Sequence, residues 1–113
     1  MKANYFPDHV KGTTFNGRTI TYLDSNEDPV DLTGVTAIME FKLSPQTPTI
    51  FKFDTVDGTL TIPNPTDGKI IMQPILLDES ATTYCFMLVL TFPSGTVKAI
   101  LSDNWTIINF PKR

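Results

Sequence analysis

In the stretch Tyr84-Cys85-Phe86-Met87-Leu88-Val89-Leu90-Thr91-Phe92, successive side chains of an extended backbone point to opposite faces. Tyr84, Phe86, Leu88, Leu90 and Phe92 therefore share one face, and Cys85, Met87, Val89 and Thr91 share the other. Residues 35–43 alternate in the same way. Val35, Ala37, Met39, Phe41 and Leu43 fall on one side, with Thr36, Ile38, Glu40 and Lys42 on the other. A period of two over nine residues marks a half-buried strand, and a helix would put Glu40 and Lys42 on no common polar stripe.

Turn signals divide the rest of the chain into pieces of similar length. Residues 1–11, with Pro7 and the lone His9, form a leading arm. Residues 12–23 interleave Thr14, Thr19 and Thr21 with Phe15, Ile20 and Tyr22. Asn16-Gly17 inside them predicts either one bulged strand or a tight hairpin. Residues 24–29 are a polar loop, and Asp31-Leu32-Thr33-Gly34 is a short turn into the strand at 35–43. Strands are expected at 49–54, 59–62 and 69–73, with Asp57-Gly58 as a hairpin dipeptide and residues 63–68 as a turn. Leu76 and Leu77, followed by Asp78-Glu79-Ser80-Ala81, suggest one helical turn capped by Asp78. After the 84–92 strand, Pro93-Ser94-Gly95 closes a hairpin into 96–101. Residues 102–104 interrupt the chain before a last strand at 105–110. Seven to nine short antiparallel strands with a turn about every ten residues give the rhythm of an all-β sandwich.

Composition agrees with a single domain over residues 1–113: arm 1–11, sandwich 12–110 and tail 111–113. Of the 113 residues, 41% are hydrophobic and 19% charged, which is globular. A chain of this length hides about two-thirds of its surface on folding, so a core forms without disulfide or metal. The formal charge is −3 and the nine Lys and Arg residues are dispersed. No electrostatic footprint for nucleic acid or an anionic membrane is therefore expected. One cysteine, Cys85, excludes an intramolecular disulfide and fits a reducing compartment. Residues 1–10 lack the basic and apolar segments of a signal peptide, and the 84–92 run is too short to span a bilayer.

Each constellation that could carry chemistry has a simpler structural reading. Cys85 would need His9 as its base, across the whole chain. The simpler view makes Cys85 a small buried apolar residue and His9 a surface one. Asp24, Asn26 and Asp28 are spaced like the first ligands of a calcium loop, but Pro29 stands where that loop needs glycine and Val35 where it needs the bidentate Glu. One Cys and one His cannot make a zinc site alone. Asp54, Asp57, Asp67, Asp78 and Glu79 are each explained as turn or capping residues. No glycine-rich phosphate cradle is present. No catalytic, cofactor-binding or metal-binding residue is expected, and the chain is not expected to be an enzyme.

Residues 78–85 resemble the E–F corner and F strand of immunoglobulin domains, where an acidic turn precedes a tyrosine and a cysteine. The sandwich is on that ground immunoglobulin-like. A buried tyrosine there bonds its hydroxyl back to the corner backbone. In strict register from Cys85, however, Thr83 rather than Tyr84 takes the tyrosine place.

Taken in order, three features resemble the immunoglobulin-like N-terminal domain of phage baseplate upper proteins and related small phage tail proteins. These are Gly12-Thr13-Thr14-Phe15 before a polar loop; Asp31-Leu32-Thr33-Gly34 before the alternating strand; and residues 84–88 leading through Ser94-Gly95-Thr96 to Ile100-Leu101, with Trp105 and Ile107 last. The resemblance spans residues 12–110. It departs where Asp103-Asn104 replaces a glycine common before the last aromatic strand. What it implies is a structural or assembly component of a phage or prophage virion, in the tail or baseplate, made in the host cytoplasm. Its partners would be other virion proteins and further copies of itself. The arm 1–11 and residues 110–113 are expected to make the contacts, since neither can bury much against its own core. The competing reading is a small carbohydrate- or receptor-binding module, which predicts an exposed row of aromatics including Phe51, Phe53, Tyr22 and Trp105.

Overall fold

The computed structural model describes residues 6–109, so the expected contact segments 1–5 and 110–113 lie outside the described residues. Ten strands follow one another: β1 (His9–Val10), β2 (Thr13–Phe15), β3 (Arg18–Thr21), β4 (Thr36–Lys42), β5 (Thr49–Asp54), β6 (Leu60–Thr61), β7 (Lys69–Met72), β8 (Ile75–Leu77), β9 (Thr83–Thr91) and β10 (Val97–Ile108). No α-helix occurs among the described residues. The one helical turn is a 3-10 turn at Pro65–Asp67, not at Asp78.

One sheet has the order β1-β10-β9-β4-β5. Opposite it, β2 pairs with β8, and β3 pairs with β7, which also holds β6. The two ladders share one register: Thr13 faces Leu77, Phe15 faces Ile75, Arg18 faces Met72 and Thr21 faces Lys69. β2–β3 and β8–β7 are thus two bent strands running side by side, which brings ten segments to eight strands. The bend answers the question left by Asn16-Gly17 in favour of one strand. At the break Pro74 has no N–H to give, and Gly17 sits at φ +90° with a Cβ position only 2.6 Å from the Met72 carbonyl oxygen. The result is an immunoglobulin-like sandwich: a β2/β3, β7/β8, β6 sheet packed on a sheet centred on β9.

Alternation fills the space between. Met39 and Phe41 from β4, Phe53 from β5, Leu88 and Leu90 from β9, and Ile70 and Met72 from β7 have no solvent exposure. In β4, β7 and β9 each buried position is followed by a more exposed one, and the two stretches that alternate most clearly in the sequence are the neighbouring strands β4 and β9. Leu43 is the exception. It lies past the end of β4, beside the register shift near Lys42, and is exposed.

Several expectations are corrected. Asp57-Gly58 does not close a hairpin. β5 and β6 belong to different sheets, and the dipeptide lies in the crossing between them. Residues 102–104 do not interrupt the last strand, because β10 runs unbroken past them and absorbs one extra residue between Ala99 and Leu101. The strands are not all antiparallel, since β1 pairs parallel with the end of β10.

The arm is the largest correction. Phe6 is buried, stacks on Trp105 at 4.4 Å between ring centroids, and contacts Phe86 and Phe15. The Trp105 indole N–H donates to the Pro7 carbonyl at 3.0 Å, and the Lys11 N–H donates to the Ile108 carbonyl. The described part of the arm is thus a strand of the sandwich with an aromatic anchor. Sequence expectation failed here because a single Phe beside Pro7 has no periodicity to reveal its face.

Candidate functional site

The outer face of the five-stranded sheet carries a shallow concavity of about 200 Å³. The pairing register builds it in rows. Lys42 lies beside Cys85, and Glu40 beside Met87, which is flanked in turn by Ser102. Ile38 lies beside Val89. Pro45, from the β4–β5 turn, closes one end. The floor is apolar and the rim polar. Met87 is 46% exposed, while Ile38, Val89 and Cys85 are half-buried. Cys85 therefore faces outward and is not the core residue expected, because Tyr84 and Phe86 take the inward positions on either side.

A second, more polar hollow of about 190 Å³ lies between the arm and the bend of β2–β3, lined by Pro7, Asp8, His9, Arg18 and Trp105 among others. The Arg18 guanidinium lies over the Phe6 ring at 5.4 Å. His9 is half-buried, not a free surface residue. The Thr13 hydroxyl donates to the Val10 carbonyl, so His9 Nε2–H donates to the Thr13 carbonyl at 3.0 Å. His9 also meets Trp105 and Phe15 edge to face. The imidazole fixes the arm to β2. It and Cys85 line different hollows, so the structure does not bring them together.

The acidic residues singled out in the sequence are held by their own turns. One oxygen of Asp24 accepts the N–H groups of Asn26 and Asp28, which uses the calcium-like spacing to close a loop. Among the described residues no group of three His, Cys, Asp or Glu side chains could hold a metal ion. Asp57 accepts the Thr59 N–H and hydroxyl, Asp67 accepts from the Asn64 side chain, and Asp78 pairs with Lys11 at 2.8 Å. Asp31 accepts both the hydroxyl and the N–H of Thr33, the larger and smaller reasons its carboxyl sits below the usual range. Gly34 follows at φ +75°, its Cβ position 2.7 Å from the Pro93 ring. The Asp31-to-Gly34 turn thus packs against the β9–β10 hairpin.

Asp54 is different. Its residue is only 5% exposed and its carboxylate pairs with Lys52 while also accepting the Asp57 N–H. The Lys52 ammonium is the first cause holding this carboxyl below its ordinary range, and the Asp57 N–H the second. The same bond raises Lys52. The group fastens the turn after β5.

At the corner before β9, the Tyr84 hydroxyl donates to the Ser80 carbonyl at 2.8 Å. Tyr84, and not Thr83, takes the tyrosine place. Thr83 points outward and shares a hydrogen bond with Thr106 on β10. Of the four aromatics named for a carbohydrate platform, Phe53 and Trp105 are fully buried, and Phe51 and Tyr22 pack against the core. No row of them reaches solvent.

Sequence reasoning missed the outer face as a site. The signal was present, since Cys85, Met87, Val89 and Ile38 are apolar on the side of the strand that solvent would make polar. No protein-family model matches the chain, and a search of curated proteins returned no match.

Proposed function

We propose that this chain is a structural component of a phage or prophage virion, in the tail or baseplate, that works by docking to other virion proteins and to copies of itself. The observation that carries the docking part is the apolar outer face of the five-stranded sheet. Ile38, Met87 and Val89 stand there partly in water around a shallow concavity, with no convergent set of catalytic groups. The virion part rests on the sequence resemblance, whose residues occupy the joints of the sandwich. Asp31 and Gly34 form the turn into β4, Tyr84 the corner, and Trp105 the seat of the arm.

A particle part repeats one rigid surface many times, and a sandwich without disulfides that folds in host cytoplasm suits that task. Because Phe6 to Lys11 are bound to their own core, the contact surface moves from the arm to the sheet face. The test is co-assembly of the purified chain with the tail and baseplate proteins of the particle that carries it. Uptake into the assembled tail, seen by sedimentation and by electron microscopy of labelled particles, is the expected result. A particle that assembles in full without the chain, with a glycan array binding it instead, would overturn the reading.

A further inference from the structure

We infer that the concave outer face of the five-stranded sheet is the interface between two copies of this chain, packed face to face about a two-fold axis. The two sheets of the sandwich differ on their outer sides. The outer side of the β2/β3 sheet shows Thr14, Thr19 and Thr21 around a single exposed Leu76, whereas the β4/β9 side groups Met87, Ile38 and Val89 about one concavity. Charge on the second side says what fits it. Glu40 and Lys42 stand on the rim two positions apart on one strand, about 6.6 Å along it. Lys52 stands beside Glu40 on β5, on the same face, and its ammonium is paired with Asp54, which cancels its charge there. The rim therefore offers one carboxylate and one ammonium to a partner, a pattern complementary to itself when turned end for end.

The geometry follows from the register. An axis lying in the interface, crossing β4 at Phe41 and β9 at Phe86, sets Glu40 against the partner's Lys42 and Lys42 against the partner's Glu40. Phe41 and Phe86 are register partners, so one line serves both strands. The same rotation places Cys85 opposite the partner's Met87. Thiol is covered by thioether, and no disulfide between the two Cys85 residues is expected. Faces of aligned sheets approach to about 10 Å, and an isologous contact of this kind closes on itself as a dimer.

This inference deepens the docking part of the proposed function by naming the partner as a second copy. Sedimentation equilibrium across a concentration series is expected to show a monomer–dimer equilibrium. Alkylation of Cys85 by iodoacetamide should slow as the dimer fills. M87E, at a position already 46% exposed, should leave the circular dichroism spectrum unchanged and weaken the dimer about tenfold or more. E40K gives a rim with two ammonium groups and K42E a rim with two carboxylates. Each should weaken its own dimer about tenfold or more, since like charges meet twice across the axis. Mixing the two variants should restore association, because each rim then meets its opposite. A chain that stays monomeric at every concentration with Cys85 equally reactive overturns the inference. So does a dimer indifferent to M87E and to both reversals. If the monomeric chain still enters the tail, the inference falls and the proposed function stands. If the dimer forms by this face and no tail protein takes it up, the proposed function falls and the inference stands.

Discussion

Asp54 and Tyr84 show how single polar atoms close this β-sandwich where strands change direction. Asp54 is held deprotonated first by Lys52 and second by the Asp57 N–H. Its carboxyl lies lower in the folded chain than in the unfolded one. Its stabilising effect is therefore complete above about pH 4 and disappears as acid protonates the native state. D54N keeps an oxygen for the Asp57 N–H and gives up the charge. In urea melts it should be less stable than the natural chain at pH 7 and converge on it as acid protonates Asp54, and equal stability at pH 7 would refute the role. Tyr84 titrates in the other sense. Burial raises its hydroxyl, with the Glu79 carboxylate adding and Lys11 opposing. The neutral phenol is thus favoured by folding, and its contribution is whole below about pH 10 and lost as the pH climbs further. Y84F removes the bond to Ser80 and should destabilise the domain by about 1 kcal/mol at pH 7. It should also flatten the alkaline limb of the stability profile. An unchanged alkaline limb would show that another group titrates there.

At the scale of strands, what the sequence made legible depended on length. Residues 35–43 and 84–92 alternate for long enough to announce both the strand and its buried face, and they became β4 and β9 within one residue at each end. Shorter signals were ambiguous. Asn16-Gly17 has the composition of a hairpin, yet the chain continues straight into β3 because Met72 and Pro74 from the neighbouring strand crowd Gly17 and hold the bend. Local propensity cannot contain that contact. G17A meets both a left-handed backbone and a carbonyl oxygen 2.6 Å away, so a loss of more than about 1 kcal/mol in chemical denaturation is expected. A neutral G17A would mean that the bend is soft. The arm was illegible for a similar reason, since Phe6 is placed by Trp105, Phe86 and Phe15, each far from it in sequence. F6A should lower stability by about 3–5 kcal/mol and speed amide exchange at Lys11, whose N–H reaches Ile108. Protection at Lys11 equal to that of the natural chain would show the arm held by its backbone alone. The outer face was half legible: apolar residues on both sides of β9 were the signal that went unread, and only the register with β4 put Glu40 and Lys42 beside them.

Across the whole molecule, pairing joins segments far apart in the chain. β4 meets β9, β2 meets β8, and β1 meets the end of β10, so that Pro7 receives a hydrogen bond from Trp105. Few of these contacts can form before long loops close, and closure entropy is lost ahead of the contacts that compensate it. Folding in the millisecond-to-second range follows, with one cooperative transition. The order of events can also be argued. β9 pairs with β10 and β4 with β5 through short connections, and β9 meets β4 along seven register positions, so these four strands present the longest ladders, two of them over short closures. The arm has two paired residues and the longest loop of all. Its anchor site, moreover, does not exist until Trp105, Phe15 and Phe86 have come together from three strands. Docking of the arm therefore comes after the rate-limiting step, and its stabilisation should appear in the unfolding rate. In stopped-flow experiments F6A should unfold faster by nearly the whole of its equilibrium loss while refolding at the rate of the natural chain. If F6A instead slows refolding by most of that loss, the arm belongs to the nucleus, and the sandwich is assembled from its edge inward.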